Sequence, residues 1–258
     1  MTISLGDLEH YTNSLLETTK TPDYPNSVNG VQVHNQAPIR RIAAAVDFST
    51  RAVHGAIKSD SNLLLVHHGM FWGGLRPISG SHYKQVRMLI EADIAVYASH
   101  LPLDRHPILG NNVLLAKELG LQPSGSFARF EDIFIGLCGE SNIETAEIIT
   151  SAQRFAQTHG GDVRASLLEA GRRTRKWAIC TGAGASADTL KEASTMGIDT
   201  LIVGEGPHWT AIHAEENDLV ILYAGHYATE TLGVCALAQH LSEKYDLPWG
   251  FVSAPTGL

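Results

Sequence analysis

The sequence contains few cysteines and no long apolar run. Its three cysteines, Cys138, Cys180 and Cys235, are far apart and embedded in apolar sequence. They indicate small buried side chains in a reducing compartment instead of disulfides or a thiolate metal site. No apolar segment approaches the length of a membrane span, and the first residues lack the pattern of a signal peptide. These absences favour a cytoplasmic protein without a membrane partner.

Positive charge is also scarce. Nineteen Lys and Arg side chains stand against 27 Asp and Glu, which gives a formal charge of −8. The short basic run at residues 172–176 is typical of a solvated turn before a strand. The acidic balance therefore argues against nucleic-acid binding through the phosphate backbone, although a nucleotide could still bind through a metal.

The sequence is rich in short apolar strands that alternate with helices of about ten residues, from residue 39 onward. This alternation predicts βαβ units. Residues 64–69 and 201–206 echo each other, since both are aliphatic strands that end in glycine and polar residues. We therefore predict two similar three-layer α/β lobes with largely parallel sheets, residues 1–125 and 126–258, with the boundary in segment 123–126.

Three of the predicted strands stop at histidine. Two adjacent histidines end the first strand, and a carboxylate follows four residues after the histidine of each of the other two. Because carboxyl ends of parallel strands lie along one edge of a sheet, the three ends can meet at a site between the lobes, to which the second lobe returns its own ligands. The candidate ligands are His67, His68, His100, Asp104, His226 and Glu230.

Four imidazoles and two carboxylates suit Zn, Mn, Fe or Ni and are poor ligands for Mg or Ca alone. Six ligands exceed the three that a catalytic zinc takes from the protein, so two divalent ions that share a bridging carboxylate fit the count better. Two-metal sites activate water and stabilise an oxyanion during hydrolysis. Alternatively, these histidines and carboxylates form unrelated ion pairs and strand caps. This alternative requires the same feature to arise independently at three strand ends.

Other residues near these strand ends have less specific patterns. Glu205 and His208 could orient a substrate or transfer a proton, and a helix-capping role fits them equally well. Asp47 and Ser49 are predicted to cap a helix. Trp72 follows the first histidine pair and could stack on a planar base, but packing in the core is the favoured interpretation.

The motifs resemble those of a known family. His67-His68-Gly69 with Trp72, Ser99-His100 with Asp104, and Gly225-His226 with Glu230 resemble the metal motifs of the Ngg-interacting factor three family, whose members are also called type 2 GTP cyclohydrolase I homologues. Residues 29–32, 180–185 and 204–208 match as well, all in the same order. The resemblance implies a dinuclear site built from the same six ligands with one bridging carboxylate. It also implies a toroidal homohexamer with the sites facing its interior, in the compact form without an inserted middle domain.

The resemblance points to a metal-dependent hydrolase that converts GTP to dihydroneopterin triphosphate and formate. The substrate would then be a small molecule such as a nucleotide. Two alternatives stay open on the residues alone. One is a non-catalytic metal-binding or regulatory protein, and the other is a phosphodiesterase-type hydrolase. The residues also do not choose among the four metals, because affinity follows general ligand preference and supply.

Overall fold

The computed structural model describes residues 2–166 and 169–257. Within them, α-helices alternate with β-strands. In chain order they are α1 (Leu5–Leu15), β1 (Gly30–Val33), β2 (Ile42–Asp47), α2 (Thr50–Lys58), β3 (Leu63–His68), α3 (Gly80–Glu91), β4 (Ala95–Ala98), α4 (Leu101–Asp104), α5 (Asn111–Glu118), β5 (Gly125–Phe130), β6 (Ile133–Glu144), α6 (Thr145–Thr158), β7 (Arg164–Ala165), β8 (Arg173–Cys180), α7 (Ala187–Met196), β9 (Thr200–Val203), α8 (Trp209–Glu216), β10 (Val220–Tyr223), α9 (His226–Thr229), α10 (Thr231–Tyr245) and β11 (Trp249–Phe251).

The chain divides into two compact units. The first comprises the residues up to Leu103 together with Gly233–Ala254, and the second comprises Asp104–Leu232 together with the residues from Pro255 onward. This division differs from the predicted boundary at residue 125. Residues 125 and 126 already belong to β5, which pairs within the second unit, and the chain later returns to the first unit to add β11 to its sheet.

The first unit is built on a five-stranded sheet of order β1-β4-β3-β2-β11. All pairings are parallel except that of β1 with β4. Every residue of β3 is buried because both faces of the sheet are covered. Leu64 and Val66 pack in one cluster with residues of α2 and α3. On β4, the hydroxyl of Tyr97 donates to Asn13 of α1 at 2.8 Å. The uninterrupted aliphatic run of β3 follows from this double coverage.

The second unit is built on a six-stranded sheet of order β5-β6-β8-β9-β10-β7. Only β8, β9 and β10 pair in parallel, so this sheet is mixed and departs from the largely parallel arrangement predicted. The tight turn between β5 and β6 forces those two strands to be antiparallel. Alternate residues of β8 pack into two clusters: Trp177 lies with α6 in one, and Ala178 lies with α7 in the other.

The predicted similarity of the two lobes is seen in the topology. The segments β2-α2-β3-α3-β4 and β8-α7-β9-α8-β10 each place three parallel strands in chain order, and an antiparallel strand pairs with the third, β1 in one unit and β7 in the other. The sequence also predicts a strand over residues 163–168. Of these, 164 and 165 form β7, whereas 167 and 168 lie outside the described residues. None of the described helices has the length and apolar character needed to cross a membrane.

Candidate metal centre

The first unit brings together three histidines. His67 and His68 are the last residues of β3, and His100 follows β4 by two positions. Their ligand nitrogens lie within 4.8 Å of one another, and all three residues are buried. Two neighbouring parallel strands therefore deliver three imidazoles to one edge of the sheet, as expected for carboxyl ends of such strands.

Each of these rings is held by a hydrogen bond at the nitrogen nearer the backbone. The Nδ1 atom of His67 binds the carbonyl of Ser99 at 2.8 Å, that of His68 binds Oδ1 of Asp47 at 2.9 Å, and that of His100 binds Oδ1 of Asp23 at 2.8 Å. Because a carbonyl or carboxylate oxygen can only accept a hydrogen bond, Nδ1 of each ring must carry the proton. The neutral ring then presents the Nε2 lone pair, which is the usual arrangement of a metal-ligating histidine with its outer partner.

Asp23 contacts a candidate metal ligand, and the sequence analysis did not identify it. Its buried carboxylate accepts from Nδ1 of His100 and, through the other oxygen, from the amide of Leu101 and the side chain of Asn29. Burial alone would raise the pKa of Asp23, but the hydrogen bond from His100, followed by those from Asn29 and Leu101, holds that pKa below its usual value. The orientation of the His100 ring thus depends on an ionised carboxylate from a distant loop.

Asp47 and Trp72 have roles different from those predicted. Ser49 caps α2 as predicted, by accepting from the amide of Ala52, whereas Asp47 accepts from the ring of His68. The ring of Trp72 lies 4.8 Å from that of His68 and 4.4 Å from that of His100, and the residue is 37% exposed. Trp72 therefore covers the histidines at the surface instead of packing in the core.

The second unit pairs His226 with Glu230. Helix α9 begins at His226 and Glu230 follows its last residue, so the two side chains lie on one side of the turn with Nε2 and Oε2 3.1 Å apart. Gly182, just after β8, makes room for this pair. A Cβ atom there would lie 2.1 Å from Oε1 of Glu230, and the φ angle of +63° is itself unfavourable for other residues.

The ring of His226 is oriented in the same way as the other three. Its Nδ1 atom lies 2.8 Å from Oε1 of Glu205, a residue that follows β9. Burial lowers the pKa of His226, but Glu230 first and then Glu205 outweigh it and raise the pKa to about 9. A proton on Nε2 and a divalent cation bound by Nε2 and Glu230 are thus alternatives, because the same lone pair serves both.

Glu205 fixes the ring of His226 through its hydrogen bond to Nδ1 and does not cap α8. His208 occupies the N-cap position of α8, where its side chain makes no capping hydrogen bond and is exposed. Asp104 is buried in the second unit, and its Oδ1 accepts from the side chain of Asn111 at 2.8 Å. This bond fixes the orientation of the Asp104 carboxylate.

Cys180, at the end of β8, belongs to none of the groups of described side chains whose ligand atoms lie within 4.8 Å of one another. Burial, followed by the charges of Asp104 and Glu230, raises the pKa of this thiol far above its usual value. All three cysteines are free, in agreement with the prediction from sequence. The donors in each unit are therefore imidazoles and carboxylates, a set that fits a divalent transition metal.

Known proteins resemble this chain over nearly its whole length. The sequence model of Duf34/NIF3 (NGG1p interacting factor 3) matches residues 3–255. A Deinococcus radiodurans protein named GTP cyclohydrolase 1 type 2 homolog is 39% identical, with 91% of this chain and 88% of that protein covered. A protein of the same name from Halobacterium salinarum is 36% identical, with 98% of this chain and 100% of that protein covered.

Solved structures show the same fold. Protein ybgI, described as of unknown function, superposes with a TM-score of 0.88 at 30% identity, covering 99% of this chain and 100% of that one. The crystal structure of a protein from Thermus thermophilus superposes with a TM-score of 0.79 at 32% identity, covering 99% of this chain and 100% of that one.

Proposed function

The chain belongs to the Duf34/NIF3 family, and from this premise we propose that it is a hydrolase that depends on two divalent transition-metal ions. The observation that carries the proposal is the shared orientation of four imidazoles. His67, His68, His100 and His226 all bind an oxygen through Nδ1, so Nε2 of each is the nitrogen whose lone pair can bind a metal.

The six ligands are proposed to be the three histidines of the first unit with Asp104, His226 and Glu230 of the second. One carboxylate would be shared by the two ions, and the donor set would suit Zn, Mn, Fe or Ni. When bound, such ions polarise the group under attack and lower the pKa of water. The protein itself holds each ring in place, with Asp23, Asp47 and Glu205 as the orienting carboxylates. Glu205 acts through His226, and the exposed His208 is the candidate for contact with substrate.

The names of the relatives make GTP the first substrate to test. The proposed reaction opens the purine ring by hydrolysis and yields dihydroneopterin triphosphate and formate. Release of formate from GTP distinguishes this reaction from a phosphodiesterase, which would leave the base intact. A metal-binding regulatory protein would retain its ions without releasing either product.

We further propose a cytoplasmic homohexamer. The ring-shaped assembly with inward-facing sites is implied by the family resemblance, and free cysteines fit a reducing compartment. Light scattering on the eluting protein tests the assembly, since a mass of six chains supports it and a monomer mass contradicts it.

Metal content per chain is the test of the central proposal. The protein is purified without a histidine tag or chelator, beside His67→Ala, Glu230→Gln and the control His54→Ala, which changes an exposed histidine on α2. We expect close to two ions per chain in the wild type and in His54→Ala, and fewer in the other two. Formate release from GTP should be lost in the same two variants. No bound metal, and none taken up from added Zn, Mn or Fe, would overturn the proposal.

A further inference from the structure

The second unit contains a cavity that none of the ligand assignments explains. Its volume is about 480 Å³, and Asp104 forms part of its wall. This volume lies within the range of pockets that bind small molecules, roughly 300–1,000 Å³. A proposed metal ligand therefore borders a space that is large enough for an organic substrate.

The wall of this cavity combines one polar segment with a largely apolar surface. Asp104, Arg105 and His106 are consecutive residues of the wall. Much of the remainder is apolar, with Val113 of α5 and residues 133 and 135 of β6 among those that line it. Asp132 also lines the cavity but is exposed, so water and salt screen its charge. A ligand with an apolar body and an anionic group would complement these surfaces.

His106 has the opposite tautomer to the four proposed metal ligands. Its Nδ1 atom accepts hydrogen bonds from the amides of Ile108 at 3.2 Å and Leu109 at 3.0 Å. A nitrogen that accepts two amide protons carries none itself, so the neutral ring has its proton on Nε2. His106 is thereby built as a hydrogen-bond donor and not as a metal ligand.

We propose that this cavity binds the substrate of the metal centre, a small molecule whose apolar body lies against α5 and β6 and whose anionic oxygens bind Arg105 and His106. The guanidinium of Arg105 supplies charge and paired donors for oxygen anions, and His106 supplies one further N–H. The assignment rests on the proposed function, because it takes Asp104 as a metal ligand that borders the bound substrate.

The probe for the test is 8-anilinonaphthalene-1-sulfonate, which joins a planar apolar body to an oxygen anion and fluoresces in apolar surroundings. Its binding is titrated on the metal-loaded protein and on four variants. Arg105→Gln removes the charge. His106→Asn keeps an acceptor near the place of Nδ1, so the turn is retained, but removes the distal N–H. Val113→Phe fills the cavity from α5, and Arg154→Gln removes the same charge as Arg105→Gln from the exposed face of α6.

We expect saturable binding to the wild type and to Arg154→Gln, with a loss of about tenfold or more in Arg105→Gln. A smaller loss is expected in His106→Asn, and Val113→Phe should bind little probe. Circular dichroism shows whether each variant is folded. If Val113→Phe does not fold, the comparison of Arg105→Gln with the wild type still tests the assignment. Equal affinity in all folded variants, or no saturable binding to the wild type, would overturn the assignment.

Two further readings separate this inference from the proposed function. Displacement of the probe by GTP supports both, since the nucleotide then occupies the cavity. Probe binding that is sensitive to the variants but unaffected by GTP supports the cavity and contradicts GTP as the substrate. Metal content measured on the same samples reports on the metal centre alone.

Discussion

Oδ1 of Asp23 lies 2.8 Å from Nδ1 of His100, although 77 residues separate them in the chain. The other oxygen of the same carboxylate accepts from the amide of Leu101 and the side chain of Asn29. Asn29 in turn accepts from the amide of His100 through Oδ1 at 2.7 Å. Asp23 and Asn29 together hold the turn that carries His100.

The Asp23→Asn substitution should weaken metal binding. An amide cannot accept on both sides, so its NH₂ group must face a donor whichever way it turns. We expect metal affinity to fall about 10- to 100-fold, as for other lost partners of ligating histidines. Competition with a chromophoric chelator measures the change.

Asp93→Asn is the matched control. The carboxylate of Asp93 accepts from the amides of Gln36 and Ala37 in the same unit, away from the ligands in sequence. The Asp93→Asn substitution should lower the free energy of unfolding by about 1 kcal/mol and leave metal affinity unchanged. If both variants changed metal affinity equally, Asp23 would have a structural role only.

Asp93 also makes stability depend on pH. Hydrogen bonds from Gln36 and then Ala37 lower the pKa of this carboxyl in the folded protein. Its contribution is therefore fully present above the unfolded pKa of about 3.9 and is lost as pH falls through the lower folded value. The stability difference between wild type and Asp93→Asn should shrink below about pH 4 in urea titrations. A difference that grew at low pH would contradict the assignment.

Gly182→Ala should disrupt the ligand pair of the second unit. The added methyl would lie 2.1 Å from Oε1 of Glu230 and 3.2 Å from Nε2 of His226, so the carboxylate must move. We expect a loss of bound metal together with about 1–3 kcal/mol of stability.

Gly197→Ala separates these two effects. Gly197 has a similar φ of +67°, but no atom within 4 Å meets the added methyl. The Gly197→Ala variant should lose stability through backbone strain but retain its bound metal. Loss of metal in both variants would mean that strain alone accounts for the effect.

Trp72 should report metal binding in the first unit. Its ring lies 4.8 Å from that of His68 and 4.4 Å from that of His100, close enough for an open-shell ion such as Ni²⁺ or Co²⁺ to quench its fluorescence. The quenching should disappear in Trp72→Phe and persist in Trp209→Phe, which removes a comparably exposed tryptophan of the second unit. Quenching that is unchanged in Trp72→Phe would place the ion elsewhere.

Local sequence was sufficient to predict the strands that carry the ligands. β3 reads as a buried strand because all of its residues are apolar up to the two histidines, and its neighbours show the same change from apolar to polar at their ends. The four-residue spacing of His226 and Glu230 likewise predicted their contact, because a single helical turn fixes it.

Features that depend on distant contacts could not be predicted in this way. The pairing of β5 with β6, which makes the second sheet mixed, depends on a strand that was not recognised in the sequence. The first unit consists of two separate segments because β11, near the end of the sequence, joins its sheet by pairing with β2. Neither event leaves a periodic pattern in the residues involved.

The sequence by itself determined which side chains are candidate metal ligands and at which strand ends they stand, because burial and helical turns leave local patterns. Only the tertiary structure decided which nitrogen each histidine presents. That choice depends on the oxygens of Ser99, Asp47, Asp23 and Glu205, which lie from 21 to 77 residues away in the chain and reach the rings only after the sheets have formed.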